Sequence, residues 1–424
     1  LPAAESTSAK SVIIAITMTG CASLDASEEM ALASTAVESR TDLEAAWDAP
    51  WDEASDAWDG RSPLSSDAAV VAALQNNRRL RQQVESIVGS RADYVQAHLL
   101  PNPVINVMLG FPIDGGSGSP MAISLVQQLA WLWQRPTRID AADAELRREV
   151  LATSDAALEL VARVRTTHAR VAFAERAVDL QASNVELIDQ VNELVSQQLD
   201  VGEATQLDVN RTSLDLLQAK AELVDRRAAL ARLKRQLLEL LGRADAPTDW
   251  RTTGPTDLPT MDAPLPGEDA LVRLASLQRL DVAAAQSQLR AAEHAVELAR
   301  LGRLPDVSAG AGYQQNFADR DAVGPSVSVS PPLFDDNRAR IAKAQSMLRQ
   351  SAMETDRVRQ EAQREVRMAL VDVRSTLEVV GDFQSRIVEL ADENADLAER
   401  AFTAGTTDLT VLLESQRRQT SART

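Results

Sequence analysis

Between Pro136 and Gly202 the chain runs for about 64 residues without glycine or proline, in a helical apolar period. As a single α-helix rising 1.5 Å per residue, that run reaches about 95 Å. A compact globular domain has no use for such a helix, so the chain must build something elongated and mainly α. Gly202 breaks the run, and a second helical stretch over 206–241 ends at Gly242. Two long helices joined by so short a break fold back on each other as an antiparallel hairpin.

The plan occurs twice. Ahead of the first hairpin lie a helical segment from Asp67, a stop at Pro101, and strand candidates at 104–111 and 121–129 around a Gly/Ser loop. Residues 243–267, rich in Pro, Gly, Asp and Thr, form a connection. Then come a helix over 271–301, Leu304-Pro305 repeating Leu100-Pro101, and strand candidates at 307–313 and 323–330. A long helix over 337–402, a break at Gly405 and a further helix from Leu409 complete the second copy. Pro101 and Pro305, Ile139 and Ile341, Gly202 and Gly405, and Leu207 and Leu409 stand 202 to 204 residues apart. So constant an offset marks an internal duplication, with units at 63–242 and 268–424. The last helix reaches Thr424 some 20 residues short of its counterpart, which puts the completeness of the second hairpin in question.

The long helices carry a seam. Val366, Leu370, Val373, Leu377 and Val380 are spaced 4-3-4-3, and Val161, Val164, Val171 and Val178 keep the same register in the first copy. Aromatics make up only 3% of the chain, as suits narrow helix seams rather than a bulky core. The net charge of -18, with no basic tract, excludes nucleic acid as a partner.

The strand candidates alternate. Val327 and Val329 lie between Ser326, Ser328 and Ser330; Val307, Ala309, Ala311 and Tyr313 alternate with Ser308, Gly310 and Gly312. One apolar and one small polar face fit either a half-buried sheet or a barrel wall between lipid and water. Their place between very long helices favours the wall. Four strands per chain cannot close a membrane barrel, which needs about eight, and open edges in lipid are prohibitive. If these strands span a membrane, the chain must oligomerise.

At the N-terminus, Lys10, an apolar run at 12–18 and Thr19-Gly20-Cys21 follow the pattern of a secretory signal, 1–21, ending in a bacterial lipobox. Cys21, the single cysteine, is the lipidation candidate; the alternative is a chance cysteine behind an apolar run. The acidic segment 22–62 reads as a tether, although Trp47, Trp51 and Trp58 could dock on the body instead.

The duplicated order resembles the TolC-like outer-membrane efflux proteins. "AVVAALQNNRRL", "LLPNPV", "PPLFDDNRARIAKAQ" and above all "AFTAGTTDLTVLLESQR" are similar to family segments, over roughly residues 64–424. The resemblance implies a mainly α fold with a small β-barrel part: a homotrimer with a 12-strand barrel in the outer membrane and a helical tunnel through the periplasm. A periplasmic adaptor and an inner-membrane pump are the implied partners, besides outer-membrane lipid. The motif places an acidic aperture residue on Glu414, while the other usual acidic position falls on Val411. Gly202, Gly405 and Thr406 would form hairpin tips where an adaptor docks, or serve only as turn residues.

No enzyme chemistry is visible. His98, His168 and His294 lack ligand spacing, His168 sits in the seam, and Met108 with Met121 make no copper relay. No catalytic, metal or cofactor site is expected. Trp131 and Trp133 suit either an interfacial aromatic belt or packing below the sheet. The rival reading is a periplasmic coiled-coil adaptor or a structural lipoprotein tether. An adaptor would show one hairpin between β-rich halves, and a tether has no use for alternating strands.

Overall fold

A computed structural model describes residues 23–45, 47, 58–111, 113, 120–253, 266–315, 320–407 and 409–423. The signal segment and Cys21 lie outside the described residues, as does Trp51. The first half holds α1 (Ser27–Thr41), β1 (Leu64–Ser65), α2 (Ser66–Asn76), α3 (Arg78–His98), β2 (Val104–Leu109), β3 (Met121–Gln128), α4 (Trp131–Asp200), α5 (Gln206–Leu240) and β4 (Thr252–Thr253). The second holds α6 (Glu268–Gln278), α7 (Leu280–Leu301), β5 (Asp306–Gln315), β6 (Asp321–Ser330), α8 (Arg338–Asp382), a π turn (Phe383–Ile387), α9 (Val388–Thr403) and α10 (Leu409–Arg423).

The helix expected from Asp67 is broken once, at Asn77. Its side chain caps α3 by accepting from the Leu80 amide, and its Nδ2 donates to the Leu240 carbonyl 2.9 Å away. The break between α6 and α7 falls at Arg279, 202 residues on. Helix α4 is 70 residues long and begins at Trp131, taking Pro136 into its second turn. At 1.5 Å per residue it spans about 105 Å.

The duplication extends to single hydrogen bonds. Thr153 Oγ1 donates to the Gln83 carbonyl at 3.2 Å, and Thr355 Oγ1 donates to the Ala285 carbonyl at the same distance, each pair shifted by 202. Each bond ties a long helix to the short helix before its strand pair.

Val161, Val164 and Val171 are buried, as the seam requires. The core continues through Leu237, Leu238 and Leu241 of the returning helix into Leu64, Val70, Leu74 and Trp250. Full burial of each such side chain contributes about 1.5–3 kcal/mol. In the second half Leu370 is buried, but Val373 and Leu377 are exposed, with no packed helix over them among the described residues.

The segment expected as a tether is largely packed. Helix α1 buries Ala33 and Val37 against α3 and α4, and Glu29 pairs with Arg91 at 2.8 Å. Small side chains suffice because α1 lies close in the groove between the two helices. Trp58 stacks edge-on against Trp250, with centroids 5.4 Å apart, and Trp47 packs against the core. The connection after Gly242 is also anchored: β4 pairs in parallel with β1.

The four longer strands form one antiparallel sheet in the order β2-β3-β5-β6. Both halves therefore share a single wall, joined at β3 and β5. The sheet is open, and β2 and β6 are its edges.

Candidate functional site

The register assigns each side chain of the sheet to a face, because directly paired residues of antiparallel strands point the same way. The row Asn106, Ser124, Gly312, Gly324 and the row Met108, Ala122, Gln314, Ala322 lie on one face, with Ser308 paired to Ser328 and Gly310 to Ser326. Asn106 Nδ2 donates to Ser124 Oγ across it at 3.4 Å. A Cβ on Gly310 would come within 2.3 Å of the Leu125 carbonyl, so glycine there permits close approach of the strands.

The opposite face carries Ile105 with Leu125 and Ala311, Val107 with Ile123, Tyr313 and Val323, and Val307 with Val329. It is uncovered: Ile105 is 67% exposed and Val323 79%. An apolar face this continuous, left bare, belongs against lipid or another protein surface. Among the described residues no helix is long and apolar enough to cross a membrane.

At the far end of the long helices both breaks have the same construction. Gly202 has φ +82° and Gly405 φ +68°. The Glu203 amide donates to the Gln198 carbonyl and the Gly202 amide to Leu199; in the second tip the Thr406 amide donates to Ala401 and the Gly405 amide to Phe402. These paired bonds close the last turn of each helix around a left-handed glycine. Thr205 then starts α5 with a reciprocal cap to Asp208, and Thr406 Oγ1 also reaches the Ala401 carbonyl at 3.0 Å.

Glu414 lies on α10, exposed, and accepts from Arg418 one turn later at 2.5 Å. It borders an apolar groove between α9 and α10 lined by Leu390, Leu397 and Val411. Sequence reasoning placed Glu414 correctly beyond the second tip and missed Arg418, although the spacing of four was visible. Helix α10 meets the first hairpin through Arg417 on Asp215.

Three charged groups in the middle of the molecule were not singled out from sequence. Lys234 and Glu175 form a buried pair at 2.9 Å, each side chain 7% exposed. Lys234 Nζ donates to the Thr248 and Trp250 carbonyls, and Thr252 donates to Glu175 through both its amide and its hydroxyl. Burial raises the Glu175 pKa, but the hydrogen bonds from Lys234 and Thr252 outweigh it and leave the carboxyl below its ordinary value. Asp155, on α4, faces Arg279 and Asp281 at the start of α7; burial and the Asp281 charge push its pKa up to about 6.

His168 is pinned at 2.9 Å to the Leu64 carbonyl, His98 to the Tyr94 carbonyl, and no group of three or more His, Cys, Asp or Glu among the described residues could hold a metal. Trp131 and Trp133 sit partly exposed at the start of α4, below β3.

A sequence profile described as outer membrane efflux protein matches residues 69–243 and 271–424. The cobalt-zinc-cadmium resistance protein CzcC of Cupriavidus metallidurans is 23% identical over 286 residues; the match spans 66% of each chain, just under two thirds of CzcC. The fold is similar to a crystal structure of a membrane protein from Pseudomonas aeruginosa, with a TM-score of 0.73 and 22% identity over 89% of this chain and 93% of that one. It is also similar to the CmeC outer membrane channel of Campylobacter jejuni, with a TM-score of 0.72 and 14% identity over 84% and 80% of the two chains.

Proposed function

The chain belongs to the outer membrane efflux protein family, and from that premise we propose that it is the outer-membrane channel of a tripartite efflux pump. The observation that carries this reading is the two-faced open sheet: a bare apolar face, a small polar face and two free edges, set at one end of two very long hairpins. Hydrocarbon takes the apolar side, and water with the exported substrate takes the polar side. Four strands with free edges are stable in lipid only after closure, so three copies would complete a 12-strand barrel. The chain is a passive conduit; transport energy comes from an inner-membrane pump, and the tips at Gly202, Gly405 and Thr406 meet a periplasmic adaptor.

Cys21 anchors the chain to the outer membrane in this reading. Helix α1 runs with Glu29 beside Arg91, near the sheet end of α3, and Arg40 beside Gln278, nearer the middle of the molecule. Its start therefore lies toward the membrane. Ser27 lies six residues after Cys21, a leash of at most about 20 Å.

Glu414 guards the periplasmic mouth together with Arg418. Glu414→Ala is expected to raise single-channel conductance of the purified protein in planar bilayers, and an unchanged conductance would remove Glu414 from the gate. The conduit itself is tested by unheated gel electrophoresis of outer-membrane fractions. A detergent-resistant oligomer is expected, whereas a water-soluble monomer would end the reading.

A further inference from the structure

The four-stranded wall is almost without charge. Along β2, β3, β5 and β6 the only charged side chains are Asp306 and Asp321, each the first residue of its strand. Because β5 and β6 are antiparallel, the two carboxylates stand at opposite ends of the sheet. Asp306 pairs with Ser330 beside the helices, and Asp321 pairs with Gln315 at the far end.

Alternation puts them on opposite faces as well. Asp306 shares the small polar face with Ser308 and Gly310. Asp321 shares the apolar face with Val323 and Val327, and there the Tyr313 hydroxyl donates to its carboxylate. Asp306 has no such tie. It is exposed, and among the described residues no ion pair or side-chain hydrogen bond reaches its carboxylate. The other strand residues of the polar face, Asn106, Ser124 and Ser328 among them, are uncharged and do not offset it.

The duplication sets Asp306 apart once more. Pro305 corresponds to Pro101, so the first half carries Asn102 where the second carries Asp306. A neutral amide fills this step of the plan in one half, and the fold therefore does not require a carboxylate in the other.

We propose that Asp306, repeated once in each copy, is the charge filter of the membrane passage and favours cationic over anionic solutes. This rests on the channel reading above and adds to it the sign of charge that the passage prefers. With strands about 4.8 Å apart, a ring of twelve closes at a radius of about 10 Å. That is about one screening length in 0.1 M salt, so the carboxylates at the rim are felt at the axis. Rings of Asp or Glu select cations in this way. Glu414 differs, because Arg418 offsets its charge within the same chain. It narrows the far mouth, while Asp306 sets the sign.

The test is the reversal potential of the purified full chain in planar bilayers under a salt gradient. In 0.1 M salt Asp306→Asn should lower the cation-to-anion permeability ratio roughly two- to threefold. In 1 M salt, where the screening length is about 3 Å, that difference should disappear. A disturbance of the fold would persist in both. Asp321→Asn removes the same charge from the other face and should leave the ratio unchanged. Ser328→Asp adds a carboxylate to the polar face and should restore the ratio in the Asp306→Asn chain. Should Asp306→Asn fail to assemble, Ser328→Asp in the parent chain should raise the ratio, and no rise would overturn the filter. An unchanged ratio in Asp306→Asn, at parental conductance, overturns the filter and leaves the channel standing. An equal fall in Asp321→Asn overturns the assignment of faces and the filter with it. A parent protein that opens no pores overturns the channel reading itself.

Discussion

In the first hairpin, the helix position held by Asp179 forms a two-pronged ion pair with Arg251, and Glu175 one turn earlier is locked to Lys234 and Thr252. In the second hairpin the same positions, 202 residues on, are Gly381 and an exposed Leu377. The ion pairs there are exposed or half-exposed: Arg357 with Glu354 and Glu361 at 2.6 Å along one helix, and Arg279 with Glu365 and Arg367 with Glu268 between α8 and the short helices beside it. One hairpin is fastened across its helices and to the connecting segment by a buried ion pair; the other is tied by pairs that water reaches. A single duplicated plan thus yields one hairpin with a buried bridge and one whose bridges are exposed. The difference comes from a few side chains that bridge elements distant in sequence.

The largest test of that contrast is to remove one bridge from each. Lys234→Met leaves Glu175 buried without its cation and should cost about 3–5 kcal/mol, read as a fall in the melting temperature of the detergent-purified protein. Arg357→Ala, on an exposed pair, should cost no more than about 1 kcal/mol. Equal losses would break the comparison.

Two glycines sharpen it. Gly242 has φ +69°, and a Cβ there would lie 2.3 Å from the Asn76 carbonyl. Gly242→Ala should therefore destabilise by about 1–3 kcal/mol. Gly381 is helical with open space around it. Gly381→Ala should stabilise the second hairpin by about 0.5–1 kcal/mol, seen as slower proteolysis near residue 381.

The smallest effect concerns the junction of the halves. Asp155 titrates at about 6 rather than its ordinary 3.8, so the folded chain binds its proton more readily than the unfolded one. Its contribution to stability is complete below the ordinary value and is lost as pH rises through the folded value. Asp155→Asn should therefore gain melting temperature over the parent at pH 7 and lose that advantage near pH 4. A pH-independent difference would remove Asp155 from the titration.

The long helices, the hairpin glycines and the two-faced strands were legible because each rests on local chemistry: absent breakers, a left-handed turn and a period of two. The valine seam was legible as a heptad, and Val164 and Val171 are buried as it required. What stayed hidden is non-local. Nothing beside Lys234 announces Glu175, 59 residues earlier in the sequence. The packing of α1 rests on Ala33 and Val37, which look unremarkable in an acidic segment. The strand pairs were legible, but the joining of β3 to β5 into one wall was not, because it depends on how the two halves stand together.

From Ile139 to Gly202 is one residue fewer than from Ile341 to Gly405, and the π turn at Phe383–Ile387 lies within the longer stretch. In a regular helix one added residue would swing everything beyond it by about 100° and lengthen it by about 1.5 Å. A wider turn takes the residue up locally, so Ala398 remains buried where Val195 is buried in the other copy. The helix faces beyond the π turn thus keep the orientation of the first copy, and in a ring of copies such as the one proposed above both tips would meet a cap with the same face.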